Sequence, residues 1–174
     1  MALHPEDNTM TPHQHWIVTA DSRGAALFSC QRTPGGELHV EEARSLQNGH
    51  EHEQDRHRPA LLGGAERRGA AGRSGGHAAP HSVAPHHAAE EDQHRYARDV
   101  GEWLGRANWE LGIAGSGGRL SVFAPPKLLS LLRDRMAGLG AAAEFHEGEL
   151  SQLSSAELAA HPAVRHALER PAAT

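Results

Sequence analysis

The sequence predicts an α/β fold built on a mixed five-stranded sheet, with the element order βββαβαβα. Three observations predict it. Short apolar segments joined by tight turns fill residues 16–47, a helical spacing of apolar residues begins at Tyr96, and a strand–helix–strand pattern follows residue 119. Hairpin turns join antiparallel strands and a strand–helix–strand passage joins parallel ones, so the sheet contains both kinds of pairing.

The first three strands are predicted within residues 16–47. Residues 16–20 form an apolar run rich in strand formers, and residues 21–24 have the composition of a turn. Residues 25–30 predict the returning strand, and the Pro-Gly-Gly of residues 34–36 predicts a second turn. Apolar and polar residues alternate over 38–41, which is typical of a half-exposed third strand.

The first helix is predicted from apolar residues that recur at intervals of three and four. These residues are Tyr96, Val100, Trp103, Leu104, Ala107 and Leu111. The glycine-rich residues 115–118 separate this helix from a buried strand at residues 120–124. That strand ends at Pro125 and Pro126, and proline is well suited to the first turn of a helix.

A second helix, a fifth strand and a last helix complete the fold. The second helix has an apolar side formed by Leu128, Leu129, Leu132, Met136 and Leu139. Gly138 and Gly140 end it, and residues 141–145 return as the fifth strand. Ser154 and Glu157 have the spacing of a capping box and open the last helix, which Pro162 interrupts.

One domain is expected over residues 15–170, with disordered tails at residues 1–14 and 171–174. A flexible polar loop is expected at residues 48–90, inside that domain. Between residues 48 and 95 the large apolar residues are only Leu61, Leu62 and Val83, too few to pack a core.

Composition excludes several classes of protein. The 174 residues carry a formal charge of −5, so this is not a strongly basic nucleic-acid binder, and we expect no DNA partner. No apolar run approaches the roughly 20 residues that span a bilayer. The single cysteine, Cys30, forms no internal disulfide, and we interpret it as a small buried residue without a catalytic role. The opening residues lack a leader peptide, so we expect a cytoplasmic protein.

Four motifs resemble the bacterial host attachment proteins, also called proteins required for attachment to host cells. They are WIVTADSRG at 16–24, HEHEQDRHRP at 50–59, VFAPP at 122–126 and LSSAEL at 153–158. The resemblance covers about residues 15–161. Members of that family are similar to the middle domain of archaeal and eukaryotic peptide release factors. The resemblance therefore implies a ribonuclease H-like fold, which agrees with the element order.

In the release-factor domain, a Gly-Gly-Gln loop before the long helix promotes hydrolysis of peptidyl-tRNA. The same interval here holds two glycine pairs, at residues 63–64 and 75–76, followed by Ala65 and His77. Neither pair is followed by glutamine, so we predict no catalytic residue. The resemblance implies instead a non-enzymatic protein that associates with the ribosome or with structured RNA.

The predicted binding residues combine charged groups with a glycine pair, because arginine pairs with phosphate and glycine lets the backbone approach RNA. They are His50, Glu51, His52, Glu53, Asp55, Arg56, His57, Arg58, Arg73, Gly75, Gly76 and His77. An alternative interpretation of residues 51–58 is an exposed ion-pair network, which contributes little to stability.

Two other functions remain open at this point. Eight histidines between residues 50 and 94 suggest a metal-binding protein or hydrolase, with His50, His52, His86 and His87 as weak zinc ligands. The segment lacks cysteine and is broken by Pro80, so we expect no specific cofactor. The second alternative is an indirect factor in bacterial attachment to a host.

Single residues outside the loop also have two interpretations. Asp21 suits either a turn or a ribonuclease H-like carboxylate cluster, for which Glu37, Glu42 and Glu102 are available. Trp103 lies on the apolar stripe and is expected in the core. Trp16 and Trp109 are candidates for partial exposure and for a partner interface.

Overall fold

The computed structural model describes residues 14–49 and 85–169, with side chains from residue 89 onward in the second range. These residues form five strands and four helices: β1 (His15–Ala20), β2 (Gly24–Arg32), β3 (Leu38–Gln47), α1 (Pro85–Leu111), β4 (Arg119–Ala124), α2 (Pro126–Met136), β5 (Ala142–Glu147), α3 (Ser155–Ala160) and α4 (Pro162–Glu169). The expectations of disordered tails and of a flexible loop fall largely outside the described residues and stay predictions.

The five strands form one mixed sheet in the order β3-β2-β1-β4-β5, which confirms the predicted mixed pairing. β1 pairs antiparallel with β2, and β2 pairs antiparallel with β3. β1 pairs parallel with β4, and β4 pairs parallel with β5. The carboxyl ends of β1, β4 and β5 therefore lie at the same edge of the sheet.

The two faces of the sheet bury different helices, because successive side chains of a strand point to opposite faces. Trp16 and Val18 of β1 belong to a cluster that packs against α1 and α2. Ile17 of β1 and Phe123 of β4 belong to a second cluster, which packs against α3 and α4. The sheet is thus the middle layer between two pairs of helices.

Helix α1 begins earlier than the apolar spacing predicts. Residues 85–90, predicted as the end of the loop, are helical. The apolar periodicity starts at Tyr96, where the helix begins to bury side chains in the core. The preceding turns are polar and alanine-rich, so they carry no amphipathic signal, although proline at the first helical position is favourable.

Strand β3 and the last helix also refine the prediction. β3 continues to Gln47, well past the alternating residues 38–41. Its later residues are largely exposed on this edge strand, so they lack the alternation of apolar and polar residues that predicts a strand. The chain breaks at His161, and Pro162 starts α4, as the proline predicts. The capping box of Ser154 and Glu157 is present at the start of α3.

The three tryptophans have different environments. Trp103 is buried, as predicted. Trp16 is only 4% exposed, so the expectation of partial exposure is wrong for this residue. It opens a central strand that is covered by neighbours on both sides. Trp109 is 87% exposed, which confirms its position off the apolar stripe.

Within the described ranges, no helix has both the length and the apolar character needed to cross a bilayer. Cys30 is buried, and burial raises the pKa of its thiol to about 12. A thiol with this pKa stays protonated at neutral pH and is a poor nucleophile.

Candidate functional site

A cleft of about 820 Å³ opens at the edge of the sheet where β1 and β4 end. Its walls come from the β1–β2 turn (21–23), the end of β3, the first half of α1, residues 125–128 and Glu149. In open α/β sheets, ligands bind outside the carboxyl ends of the strands. The position of the cleft therefore makes it the candidate binding site.

Asp21 fixes the wall formed by the β1–β2 turn. Its Oδ1 accepts hydrogen bonds from the backbone amides of Arg23 at 2.8 Å and Gly24 at 3.0 Å. Its Oδ2 accepts from the Ser151 hydroxyl at 2.6 Å and from the Gln152 side-chain amide at 3.1 Å. One carboxylate thus shapes the turn and ties it to the segment that precedes α3.

The hydrogen bonds to Asp21 also determine its charge. Burial by itself would raise the pKa of this carboxyl. The bonds from Ser151, from the Arg23 and Gly24 amides and from Gln152 outweigh burial and hold the pKa below its usual value. Asp21 is therefore ionised at neutral pH.

We expect Asp21→Asn to lower the free energy of unfolding at neutral pH by about 1.5–3 kcal/mol, the range for a hydrogen bond to a charged group. Since the folded pKa is depressed, this contribution is complete above the unfolded pKa of about 3.9 and is lost as the pH falls through the folded pKa. Urea unfolding of both proteins between neutral pH and strongly acidic pH measures the difference. Asp134→Asn, at an exposed position of α2, is the control. A difference that stays constant into acid would contradict this role.

Asn48 fixes the same turn from the other side. Its side-chain amide donates to the Ser22 carbonyl at 2.7 Å, and its backbone amide donates to the Arg23 carbonyl at 2.8 Å. The end of β3 and the β1–β2 turn therefore form one continuous wall of the cleft.

The start of α2 forms another wall of the cleft. Helix α2 follows Pro125, and no side chain caps its amino end. Its first backbone amides have no acceptor inside the helix, and the helix dipole makes this end positive. Lys127 lies exposed in this first turn and adds a full positive charge.

Acidic residues also line the cleft, but two of the three already have partners. Asp21 accepts the four hydrogen bonds described above. Asp92 accepts a hydrogen bond from Arg95 at 3.4 Å, and Glu149 is exposed. The cations that line the same cleft are Lys127 and Arg23, whose side chain is 65% exposed and forms a long ion pair with Asp21, with 3.9 Å between Nε and Oδ2.

The carboxylate cluster considered for Asp21 is not formed by the described residues. Glu37 lies in the β2–β3 turn, at a separate cavity, while Glu42 lies exposed on β3 and Glu102 exposed on α1. Across residues 14–49 and 85–169, no three His, Cys, Asp or Glu side chains are close enough together to hold a metal ion. The hydrogen bonds of Asp21 favour its interpretation as a turn residue.

A family model described as "Protein required for attachment to host cells" matches residues 16–161. The chain belongs to this host attachment family. No curated protein matches the sequence. The matched region runs from β1 through α3, so the whole cleft lies in the part of the chain that the family model covers.

The predicted binding residues all lie outside the described part of the chain. This applies to His50, Glu51, His52, Glu53, Asp55, Arg56, His57, Arg58, Arg73, Gly75, Gly76 and His77. His86 and His87 lie in the first turn of α1, where only the backbone is described. These predictions stay open.

The residues on either side of 50–84 nevertheless lie at the cleft. Asn48 and Ala89 both line the cleft, and the described residues stop at Gly49 and resume at Pro85. Residues 50–84 are thus joined covalently to two walls of the cleft.

Sequence reasoning missed Lys127 as a site residue. The available signal was the Pro-Pro-Lys that follows a buried strand.

Proposed function

We propose that this host attachment family member is a non-enzymatic cytoplasmic binding protein that associates with the ribosome or with another structured RNA. We also propose that its sheet is a ribonuclease H-like fold of the release-factor type, which the mixed pairing of five strands supports. The observation that carries the functional proposal is the cleft at the carboxyl edge, whose lining includes two exposed cations and an uncapped helix start.

These groups suit a phosphate of an RNA backbone. Helix starts bind phosphate through free backbone amides and the helix dipole, and Lys127 adds its charge at the same place. Arg23 is supplied by the β1–β2 turn, whose position Asp21 and Asn48 fix. Phosphate contacts of this kind position an RNA without reading its sequence.

Because the net charge is −5, recognition of RNA phosphate depends on the residues at the contact and not on the charge of the whole protein. The overall field of the protein does not attract RNA, so the affinity depends on the few cations that touch phosphate. The two cleft contacts contribute about −1.4 to −1.8 to the slope of log K against log salt concentration, and each further phosphate contact adds about −0.7 to −0.9.

The proposal also includes residues 50–58 as a second group of RNA contacts. Arg56 and Arg58 are the cations of this segment that we propose as further phosphate contacts, since the segment begins directly beyond the cleft residue Asn48. Their replacement is therefore tested beside that of the cleft residues.

Co-sedimentation with ribosomes at low salt tests the proposal. We expect the wild type to pellet with ribosomes. Arg23→Ala/Lys127→Ala and Arg56→Ala/Arg58→Ala are each expected to lower the affinity about tenfold, the equivalent of one charge-assisted hydrogen bond. The matched control is Arg32→Ala/Arg165→Ala, which removes two exposed arginines from a separate cavity between the β2–β3 turn and the last helices.

Two outcomes would overturn the proposal. One is a wild-type protein that stays at the top of the gradient in every nucleotide and stress state. The other is an equal loss of binding in the control and in both test variants, because the cleft would then have no special role.

A further inference from the structure

Trp109 is the large hydrophobic residue that the described part of the chain leaves mostly exposed, at 87%. It lies on the solvent side of α1, whereas Trp16 and Trp103 are buried in the core. An indole in water forgoes the large stabilisation that burial of an aromatic side chain provides. The exposed ring is therefore accessible to a ligand that would cover it.

The end of α1 that carries Trp109 is held firmly. The Asn108 side-chain amide donates to the Leu139 carbonyl at 2.9 Å, and its oxygen accepts from the Ala114 amide at 2.9 Å. Ile113 follows and is 1% exposed. The helix end is thus fixed to the connection after α2, and Trp109 projects from a rigid support.

The surroundings of Trp109 offer no continuous apolar surface. Within the helix, the positions three and four residues before Trp109 are the exposed Arg106 and the half-buried Gly105. Past the helix end, Gly112 is exposed and Ile113 is buried. A protein interface is built on a cluster of apolar anchors with a rim around them. A single ring between glycines and an arginine suits a flat ligand that stacks on it.

The charges near Trp109 favour an anionic ligand. Arg106 lies one turn earlier and is exposed. Among the described residues, the ion pairs of α1 involve Arg95, Arg98 and Glu110, and none involves Arg106. Glu110, the acid next to Trp109, pairs with Arg44 of β3.

We propose that Trp109 and Arg106 form a contact for an unpaired RNA nucleotide, in which the base stacks on the indole and Arg106 pairs with the adjacent phosphate. Stacking on an aromatic side chain tolerates any base and contributes about 1–3 kcal/mol per base. This inference rests on the proposed function, because it names a second contact for the same class of partner. Trp109 lies 13 residues beyond Tyr96 of the cleft, about 20 Å along the helix.

Tryptophan fluorescence of the full chain, titrated with a single-stranded oligouridylate, tests the contact. We expect the oligonucleotide to quench the exposed emission and to protect it from iodide, while the emission of the buried tryptophans stays unchanged. Trp109→Ala is expected to weaken oligonucleotide binding about fivefold or more, the equivalent of 1 kcal/mol. Trp109→Phe keeps part of the affinity, and Arg106→Lys keeps more than Arg106→Ala.

The outcomes separate this contact from the cleft. If ribosomes pellet the protein and the oligonucleotide leaves Trp109 accessible to iodide, the stacking contact is wrong and the proposed function stands. If neither ribosomes nor the oligonucleotide bind, both are wrong. If the emission changes with protein concentration alone and sedimentation shows a dimer, Trp109 belongs to a self-association surface and the RNA contact is overturned.

Discussion

Replacing Phe123 with alanine is expected to lower the free energy of unfolding by about 3–5 kcal/mol, the range for truncating a buried phenylalanine. Phe123 is 1% exposed and lies on β4, paired with Thr19 of β1 and His146 of β5. Its ring stacks on His146, with centroids 4.9 Å apart. The cavity left behind would lie in the cluster, shared with Leu158 of α3, that attaches the last two helices to the sheet.

Urea unfolding followed by circular dichroism measures this loss. Phe145→Ala is the matched control, because Phe145 lies on the edge strand β5 and is only partly buried. We expect a distinctly smaller loss there, in which the contact of its ring with the Arg133 guanidinium also disappears. Equal losses at the two positions would show that Phe123 does not hold the centre of this face.

Replacing Gly24 with alanine is expected to destabilise the protein by about 1–3 kcal/mol and to weaken binding at the cleft as well. A Cβ at this position would lie 2.6 Å from the backbone carbonyl oxygen of Leu46. That atom belongs to the neighbouring strand β3, so β2 and β3 must move apart. The Gly24 amide also donates to Asp21, and the movement therefore reaches the wall of the cleft.

Gly138→Ala is the control for this substitution. A Cβ at Gly138 would meet no heavy atom within 4 Å, and its backbone is not left-handed. We expect it to be neutral or slightly stabilising, because alanine reduces the conformational entropy of the unfolded chain. Thermal unfolding and ribosome co-sedimentation of both variants provide the comparison. A Gly24→Ala protein that matches Gly138→Ala in both measurements would contradict the role assigned to this close approach.

The sequence predicts most of the fold because the core helices bury one apolar side and the central strands are apolar on both faces. Residues 16–20 and 120–124 are short apolar runs, and both form central strands. The sequence does not predict the start of α1 or the far half of β3, because these parts are mostly polar and carry no sustained periodic signal. Exposure of Trp16 was wrongly expected, since a residue at the start of a strand gives no sign that the strand is central.

The candidate site was predictable only in part. Asp21 could be assigned to a turn from its neighbours, and its hydrogen bonds follow that assignment. Its contacts with Ser151 and Gln152 join residues about 130 positions apart, and no local sequence pattern predicts such contacts. Lys127 can be identified as a site residue only from the sheet topology, because β1 and β4 end at the same edge of the sheet.

Hydrogen–deuterium exchange of the ribosome-bound protein tests most directly the claim that the cleft is the binding site. We predict slower exchange in the β1–β2 turn and in the first turn of α2, where Lys127 and Leu128 supply amides without helical acceptors. The β2–β3 turn and α4, at the separate cavity, should exchange as in the free protein. Protection confined to that second region, in a protein that remains bound, would contradict the account.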